Sequence, residues 1–275
     1  MTFDPGAYLA GLRLPAEEPA VPLSGGYTNE VWRVGELVVK RYDRSARPLL
    51  FGNDPLSEAR ALAILAARRV APEPVHFDEA AGIVVYRFAP GRPWVRGTAR
   101  VAKLLAAVHA TPAHGFRTLP IDGGAILADG DRFLRGDRAG EVARRRPPVV
   151  RCGPVARRLV HRDAGPGNLI DSGDRLLLID WQAPGAGDPV EDLAAFVSPA
   201  FQILYGREPL TDDEEGAFLD AYPTPLVVRR LQRMRPSYDW RMAAYCAWRA
   251  EQLDGAAPEA SAAYTRATDA LLARL

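Results

Sequence analysis

The chain has 275 residues, of which 48% are hydrophobic, and its formal net charge is +1. This length suits one two-lobed unit or two small domains, and the balanced charge excludes a strong bias toward nucleic acid or a membrane surface. Cys152 and Cys246 lie far apart and have no Cys or His at metal-ligand spacing, so neither a disulfide framework nor a metal site is indicated. No apolar run approaches membrane-spanning length and no signal-peptide pattern opens the chain, so we expect a soluble cytoplasmic protein with no membrane partner.

The first 90 residues predict a small antiparallel sheet accompanied by one main helix. Alternating apolar residues indicate the strands, and Asp54 followed by Pro55 is a typical helix start, because the aspartate caps the first turn and proline suits the first helical position. The predicted elements are, in chain order, a helix at 5–12, strands within 21–34 and 37–40, a helix at 55–69, and a hairpin with strands at 75–77 and 83–88.

The first hairpin carries the segment Ser24-Gly25-Gly26-Tyr27-Thr28-Asn29. Glycines and small polar residues at a hairpin tip can bring backbone N–H groups close to phosphates. The segment is neither a Walker loop nor the G-x-G-x-x-G of protein kinases, and taken alone it is better explained as an ordinary hairpin. Lys40 ends the next strand and is one of only two lysines in the chain, although a surface lysine would fit the same position.

From Gly97 onward, helical periodicity dominates. The predicted helices lie at about 97–109, 130–142, after 189, and at 216–222, 226–234, 238–253 and 258–275. Residues 113–158 are otherwise loop-rich and basic, and include the run Arg144-Arg145-Arg146. Such a run is typical of a solvated face. A nucleic-acid patch would need interleaved aromatic residues and an overall positive charge, so we expect no nucleic-acid partner.

The most informative pattern begins at His161. Asp163 follows two residues later, Asn168 five residues after that, and Asp180 ends the apolar run 176–179. Phosphoryl transfer uses a carboxylate to orient a hydroxyl nucleophile, and hard oxygen ligands to hold the metal that bridges the ATP phosphates. The flanking apolar residues indicate short buried strands, so the three polar groups are predicted to lie close together at strand ends.

This segment resembles the catalytic and metal-binding loops of the aminoglycoside phosphotransferase and choline kinase family, in which H-x-D-x-x-x-x-N precedes a D-x-x metal motif by about a dozen residues. Two further stretches resemble the family: G-D-P-x-x-D-L-A at 187–194, and a helix ending at His109 before Thr111-Pro112. The resemblance implies an α+β, two-lobed protein-kinase-like fold. Its antiparallel-sheet N-lobe would comprise residues 1–90, and its mainly helical C-lobe residues 91–275.

The resemblance also implies the role of each site residue. Asp163 would orient the acceptor hydroxyl and accept its proton, Lys40 would contact the α and β phosphates, and Glu58 would pair with Lys40. If there is no such pairing, Glu58 is an ordinary acid in the first turn of its helix. The candidate site residues are catalytic Asp163 and His161, ATP-binding Ser24, Gly25, Gly26, Thr28, Asn29, Lys40, Glu58, Arg87 and Ala89, and Mg²⁺-binding Asn168 and Asp180.

Three positions near the motif carry further expectations. Asp192 is expected to point back and bind the backbone of the catalytic loop, as in the resembled fold. Arg162 replaces a common glycine, but His-Arg-Asp is the protein-kinase form and should preserve the chemistry. Gln182 stands where many relatives have glutamate, and the lost carboxylate is expected to lower metal affinity modestly.

The predicted function is transfer of the γ-phosphoryl group of Mg-ATP to a hydroxyl of a small acceptor. Residues 181–275 hold 14 Asp or Glu, 9 Arg and no Lys, which suits a cationic acceptor such as an aminoglycoside or an amino alcohol. Aromatic residues on the helix at 238–253 could enclose a quaternary ammonium, although helix packing is the better explanation of them. Protein substrates are disfavoured because the interval 180–188 is too short for an activation loop. The alternative is a non-catalytic nucleotide-binding or regulatory module of the same fold, and the sequence leaves the oligomeric state open.

Overall fold

A computed structural model of the protein describes residues 3–23, 29–43 and 50–275. The chain divides into two compact units, the first comprising Met1–Arg92 with Ile170–Pro184 and the second Pro93–Leu169 with Gly185–Leu275. Residues 170–184, which the predicted division near residue 90 assigned to the C-lobe, therefore belong to the first unit. Within the described ranges, no helix combines the length and the apolar character needed to cross a membrane.

The secondary structure follows the predicted order, with a sheet first and helices after it. In chain order the elements are α1 (Pro5–Gly11), β1 (Val21–Pro22), β2 (Glu30–Val34), β3 (Leu37–Arg41), α2 (Pro55–Ala66), β4 (Pro74–Asp78), β5 (Ile83–Arg87), β6 (Arg92–Pro93), α3 (Thr98–His109), α4 (Gly123–Asp131), α5 (Ala139–Arg144), β7 (Arg158–Val160), β8 (Leu169–Asp171), β9 (Leu176–Leu178), β10 (Gly185–Gly187), α6 (Val190–Val197), α7 (Pro199–Leu204), α8 (Asp212–Ala221), α9 (Pro225–Leu253) and α10 (Pro258–Leu272).

The first unit is built on a five-stranded antiparallel sheet with the strand order β1-β2-β3-β5-β4. Its central strand, β3, places Lys40 between Val31 of β2 and Val84 of β5. Lys40 is buried, as are Val84 and the neighbouring Val39. A charged side chain in an apolar central strand requires partners, because an unpaired buried ion costs several kcal/mol.

Helix α2 begins as its sequence predicts. Asp54 accepts a hydrogen bond from the Leu56 N–H, and Pro55 occupies the first helical position. The buried face of the helix carries Leu62 and Leu65 together with a single carboxylate, that of Glu58. The helix therefore brings a fully buried negative charge to the first unit.

The second unit is mainly helical and is organised around the 29-residue helix α9, which packs against α4, α6 and α10. Two separate helices, 226–234 and 238–253, were predicted here, on either side of Pro236, which has no backbone N–H to donate. That prediction is wrong, since one helix continues through Pro236. Burial on both sides of the proline, at Met234 and Tyr238, stabilises the helix by more than the missing hydrogen bond costs.

A second correction concerns the predicted helix at 130–142. The segment instead contains the end of α4 and, after a break, the start of α5. Gly136 adopts a φ of 91° in this break, a left-handed conformation that favours glycine. A wrong helix boundary arose because apolar spacing continues across a residue whose backbone leaves the helix.

Helices α4 and α9 approach so closely that only glycine fits at one position. A Cβ added to Gly130 would lie 2.7 Å from Cζ3 of Trp240 and 3.0 Å from the backbone Cα of Arg241.

We predict that Gly130→Ala lowers the free energy of unfolding by about 2 kcal/mol through overpacking. Gly216→Ala in α8, where nothing lies within 4 Å of the added Cβ, should instead raise it by about 0.5 kcal/mol. Urea denaturation measures both, and equal effects would contradict the close approach.

Candidate active site

Lys40 is the centre of a buried ionic group in the first unit. Its Nζ lies 2.9 Å from Oε2 of Glu58 and 2.5 Å from Oδ1 of Asp180. Burial alone would lower the pKa of Lys40, but the carboxylates of Asp180 and Glu58 outweigh it and hold the pKa above its ordinary value. Lys40 therefore carries a permanent positive charge at a fixed place, and the predicted pairing with Glu58 is confirmed.

Glu58 connects Lys40 to two other segments. Its Oε2 also accepts a hydrogen bond from the Tyr42 hydroxyl, and its Oε1 accepts one from the backbone N–H of Trp181 at 3.0 Å. Burial and the adjacent Glu58 raise the pKa of Tyr42 well above its ordinary value, so the phenol remains a donor. One carboxylate thus orients the lysine and the chain immediately after Asp180.

Asp180 adopts a backbone conformation that is uncommon for residues other than glycine. Its φ is 62°, in the left-handed region. The buried indole of Trp181 fixes the next residue, since its Nε1 donates to the Leu178 carbonyl at 2.8 Å. Strained residues of this kind concentrate at functional sites. The side chain of Asp180 remains 31% exposed, so one carboxylate can contact both Lys40 and a ligand.

Gln182 hydrogen-bonds to the base of the first hairpin. Its Oε1 accepts from Nδ2 of Asn29 at 2.8 Å, and Nδ2 of Asn53 donates to Oδ1 of Asn29 at 3.1 Å. The backbone carbonyl of Gln182 accepts the N–H of Asp54, the cap of α2. The glutamine therefore positions Asn29, and its predicted effect on metal affinity stays a prediction. The other predicted phosphate-loop residues, Ser24, Gly25, Gly26 and Thr28, lie outside the described residues.

Two further candidates lie at the end of strand β5: Arg87 is its last residue, and Ala89 follows two residues later. The backbone N–H of Arg87 donates to the Glu73 carbonyl at 2.8 Å, and that of Phe88 donates to the Glu36 carbonyl at 2.8 Å. These two N–H groups are thus already used within the first unit. The predicted adenine contacts at Arg87 and Ala89 stay predictions.

The catalytic loop lies in the second unit, and two of its own residues hold Asp163. The backbone N–H of Asp163 donates to Nδ1 of His161 at 3.2 Å, and Nδ2 of Asn168 donates to the Asp163 carbonyl at 2.8 Å. Both bonds use backbone atoms of Asp163, so they orient the residue without occupying its carboxylate. His161 and Asn168 are buried, whereas Asp163 is partly exposed.

Asp192 of α6 fixes the start of this loop, as predicted. Its Oδ2 accepts the His161 N–H at 2.8 Å and contacts Nε2 of His109 at 3.0 Å, while its Oδ1 accepts the Arg162 N–H at 2.6 Å. Burial alone would raise the pKa of Asp192, but the hydrogen bonds from His109 and the loop backbone hold it below its ordinary value. His109 also contacts the Tyr222 hydroxyl at 2.8 Å through Nδ1, which agrees with its predicted structural role.

The side chain of Arg162 is accommodated by a buried carboxylate. Its Nε lies 3.6 Å from Oε1 of Glu191, which also pairs with Nη2 of Arg241 at 2.6 Å. The backbone of Arg162 has a φ of 76°, so the loop turns sharply just before Asp163. The substitution of arginine for glycine is thus matched by an acidic partner on α6.

Tyr205 belongs to this site, and the sequence analysis did not identify it. Its hydroxyl lies 3.4 Å from each carboxylate oxygen of Asp163. Its ring lies over the catalytic loop at Gly165 and Gly167, where added Cβ atoms would come within 2.5 and 2.1 Å of it. The two glycines in Gly165-Pro166-Gly167 were the available signal, because they indicate that another group approaches the loop closely.

The residues proposed to bind Mg²⁺ have suitable donor atoms. Asp180 provides a partly exposed carboxylate, and Asn168 commits its amide N–H to the loop, which leaves Oδ1 as the ligand atom. Among the described residues, no group of three or more His, Cys, Asp or Glu could hold a metal ion.

The sequence matches the profile of one protein family over most of its length. The profile of the phosphotransferase enzyme family matches residues 19–231. The chain belongs to this family. The predicted family is thereby confirmed, together with the predicted class of enzyme, a phosphotransferase.

Solved structures of similar fold support the same architecture. A choline/ethanolamine kinase family protein from Mesorhizobium loti has a TM-score of 0.71 and 21% identity, covering 98% of this chain and 91% of that one. A choline kinase from Streptococcus pneumoniae has a TM-score of 0.67 and 19% identity, covering 97% of each chain. A spectinomycin phosphotransferase in complex with ADP and spectinomycin has a TM-score of 0.68 and 11% identity over the whole of both chains. The predicted protein-kinase-like α+β fold is confirmed.

A curated relative is similar over a shorter stretch. A probable ketoamine kinase from Thermus thermophilus is 42% identical over 107 residues, which are 39% of this chain and 38% of the relative. The match therefore spans well under half the length of that protein.

We predict that Asp192→Asn lowers the free energy of unfolding by about 3 kcal/mol at pH 7, because an amide cannot accept from all three donors that Asp192 binds. The pKa of Asp192 lies below its ordinary 3.8 in the folded state, so its contribution is complete above that pH and is lost as the pH falls below it. Urea denaturation should therefore show a steeper loss of stability below about pH 4 in the wild type than in the variant.

The matched control is Asp220→Asn, which removes an exposed carboxylate of α8. It should change the free energy of unfolding by less than about 0.5 kcal/mol. Equal effects at positions 192 and 220 would exclude an anchoring role for Asp192.

Proposed function

We propose that this protein is a kinase that transfers the γ-phosphoryl group of Mg-ATP to a hydroxyl of a small cationic molecule. The observation that carries the proposal is the buried Lys40 ammonium, fixed by Glu58 and Asp180. A buried cation beside a partly exposed carboxylate is the arrangement that binds nucleotide phosphates and their metal in kinases. Family membership supports the same reaction class.

Lys40 is the proposed contact to the α and β phosphates, with Glu58 keeping it in place. Nucleotide binding is supported by relatives of similar fold: the spectinomycin phosphotransferase is in complex with ADP, and an amicoumacin kinase is in complex with AMP-PNP and Ca²⁺. A phosphate would give Lys40 a further anionic partner beside Glu58 and Asp180. Asn29, held by Gln182, ends the segment proposed to cover the phosphates together with Ser24, Gly25, Gly26 and Thr28.

Asn168 and Asp180 are the proposed ligands of Mg²⁺. When bound, Mg²⁺ would offset the negative charge that develops during transfer. Lys40 assists Asp180 by holding one of its oxygens.

Asp163 is the proposed group that receives the acceptor hydroxyl. The acceptor oxygen forms the new bond to the γ phosphorus, the bond from that phosphorus to the bridging oxygen of ADP breaks, and Asp163 takes the hydroxyl proton. Because the transition state is loose, Asp163 contributes mainly by orientation. His161 and Asn168 hold its backbone, which suits that role.

The net acidity of residues 181–275 supports a cationic acceptor. Part of the aromatic set considered earlier serves packing, since Tyr238 and Trp240 are buried and Nε1 of Trp240 donates to the Val142 carbonyl at 2.8 Å. Trp248 and Tyr264 are only partly buried. Burial is the main cause that raises the pKa of Tyr264, and the charge of Asp163 acts in the same direction. These two rings are the better candidates for an acceptor contact.

The similar proteins suggest which acceptors to test. They are named for choline or ethanolamine, for spectinomycin and for ketoamines. A hydroxyl on a small molecule that also carries an amine is the shared chemistry of these acceptors. We therefore extend the candidate acceptors to ketoamines.

The decisive experiment measures ADP release from Mg-ATP by the purified protein with aminoglycosides, choline, ethanolamine and sugar-derived ketoamines. We expect turnover with one acceptor class and its loss in Asp163→Asn, by at least about 10³-fold, because the hydroxyl loses its orienting carboxylate. ATP affinity of the variant should stay within about twofold, which calorimetry measures. Nucleotide binding without turnover on any acceptor would favour a regulatory module, and undiminished turnover in Asp163→Asn would remove Asp163 from the mechanism.

The role of Lys40 can be tested against the only other lysine. We predict that Lys40→Met lowers kcat/KM for ATP by about 100-fold, since the phosphates lose their fixed cation. Lys103→Met, which removes an exposed lysine of α3, should leave kcat/KM unchanged. Circular dichroism verifies that both variants are folded, and an unchanged kcat/KM in Lys40→Met would exclude its phosphate role.

A further inference from the structure

We propose that Tyr205 is a positioning residue for the phosphate acceptor, presenting the acceptor hydroxyl to Asp163. The inference rests on the proposed function, because it assigns Tyr205 a part in that reaction. Tyr205 lies outside the motif segments 161–168 and 187–194, and follows the short helix α7.

The catalytic loop is shaped to receive the Tyr205 ring. A Cβ on Gly167 would lie 2.1 Å from Cδ1 and 2.2 Å from Cε1 of the ring, and a Cβ on Gly165 would lie 2.5 Å from Cε2. These distances are far below any real contact of a Cβ atom. The ring therefore lies directly on the backbone of both glycines, and any larger residue would displace it.

The chain around Tyr205 is fixed from both directions. The backbone N–H of Tyr205 donates to the carbonyls of Phe201 and Gln202, which ends α7. Gly206 then turns the chain with a φ of 71°. Arg207 is anchored by its Nη2, which donates to the Val95 carbonyl at 2.6 Å, and by its guanidinium over the Trp94 ring. The ring position is thus set by the fold before any acceptor binds.

The hydroxyl of Tyr205 lies in front of the Asp163 carboxylate. It is 3.4 Å from both oxygens, longer than the usual 2.5–3.0 Å of an O–H···O hydrogen bond. A weak, shared contact of this kind yields easily to a better one. An acceptor hydroxyl that binds Asp163 would therefore approach the Tyr205 hydroxyl as well, which gives it a second hydrogen-bonding partner.

Tyr205 differs from the tyrosines that only fill space in the second unit. Its side chain is 37% exposed, whereas Tyr238 and Tyr245 are each 4% exposed. A ring that is pressed onto the catalytic loop and yet open to solvent is suited to contacting a small molecule. Its hydroxyl would orient the acceptor, and its ring would form one wall of the acceptor site.

The hydroxyl and the ring of Tyr205 are expected to affect different kinetic parameters, kcat and the acceptor KM. Loss of the hydroxyl alone should lower kcat, because a hydrogen bond that orients the nucleophile is lost. Loss of the ring should also raise the acceptor KM, because the acceptor loses an apolar wall. Neither change touches the residues proposed to bind ATP, so the KM for ATP should not change.

The test compares Tyr205→Phe, Tyr205→Leu and the control Tyr8→Phe. Tyr8 donates to Asp78 at 3.3 Å in the first unit, so its loss removes a phenol–carboxylate contact of nearly equal length outside the proposed site. We expect Tyr205→Phe to lower kcat about tenfold and to keep the acceptor KM within about twofold. Tyr205→Leu should also raise the acceptor KM about tenfold, and Tyr8→Phe should match the wild type.

A double-mutant cycle tests the ring independently of the hydroxyl. Gly167→Ala should raise the acceptor KM about as much as Tyr205→Leu does, since the added methyl displaces the ring. In a Tyr205→Leu background the same glycine substitution should have less than half its effect on the logarithm of KM, because the ring is already absent.

The outcomes distinguish this inference from the function on which it rests. Wild-type turnover that Tyr205→Phe and Tyr205→Leu leave unchanged would overturn the role of Tyr205 alone. Absence of wild-type turnover on every acceptor would overturn the proposed function and this inference with it. Additive effects of Gly167→Ala and Tyr205→Leu would overturn the contact between the ring and the loop.

Discussion

The buried ammonium of Lys40 is the interaction on which the first unit depends. An ion removed from water costs several kcal/mol unless it is closely paired. Its partners, Glu58 on α2 and Asp180 after β9, come from distant parts of the chain, so the charge is satisfied only if both segments pack against strand β3. The fold and the proposed phosphate site therefore depend on each other, because the ion pairs that stabilise Lys40 also fix the positions of the Glu58 and Asp180 carboxylates.

The second unit uses a buried charge of the opposite sign for a similar purpose. Asp192 accepts hydrogen bonds from two consecutive backbone N–H groups, those of His161 and Arg162, and contacts His109. Backbone donors have fixed directions, so this carboxylate determines how the loop enters Asp163. Asp163, the residue proposed to act on the acceptor, is held through its backbone by His161 and Asn168. Asp163 itself remains partly exposed.

The residues proposed for phosphate transfer and those proposed to contact the acceptor lie on different parts of the chain. The residues proposed for phosphate transfer lie on strand β3, helix α2 and the loops at 163–168 and 180. The residues proposed to contact the acceptor, Tyr205, Trp248 and Tyr264, lie on or next to helices outside the motifs.

By itself, the sequence determined the local chemistry: the capped start of α2, the order of sheet and helices, the family, and the candidates Lys40, Glu58, Asp163, Asn168 and Asp180. These follow from residue type and short-range spacing, on which capping, periodicity and motifs depend. The tertiary structure alone decided that α9 continues through Pro236, that Gln182 binds Asn29, and that Tyr205 lies over the catalytic loop. Such contacts join residues up to 153 positions apart, and they depend on how whole elements pack, which no local pattern encodes.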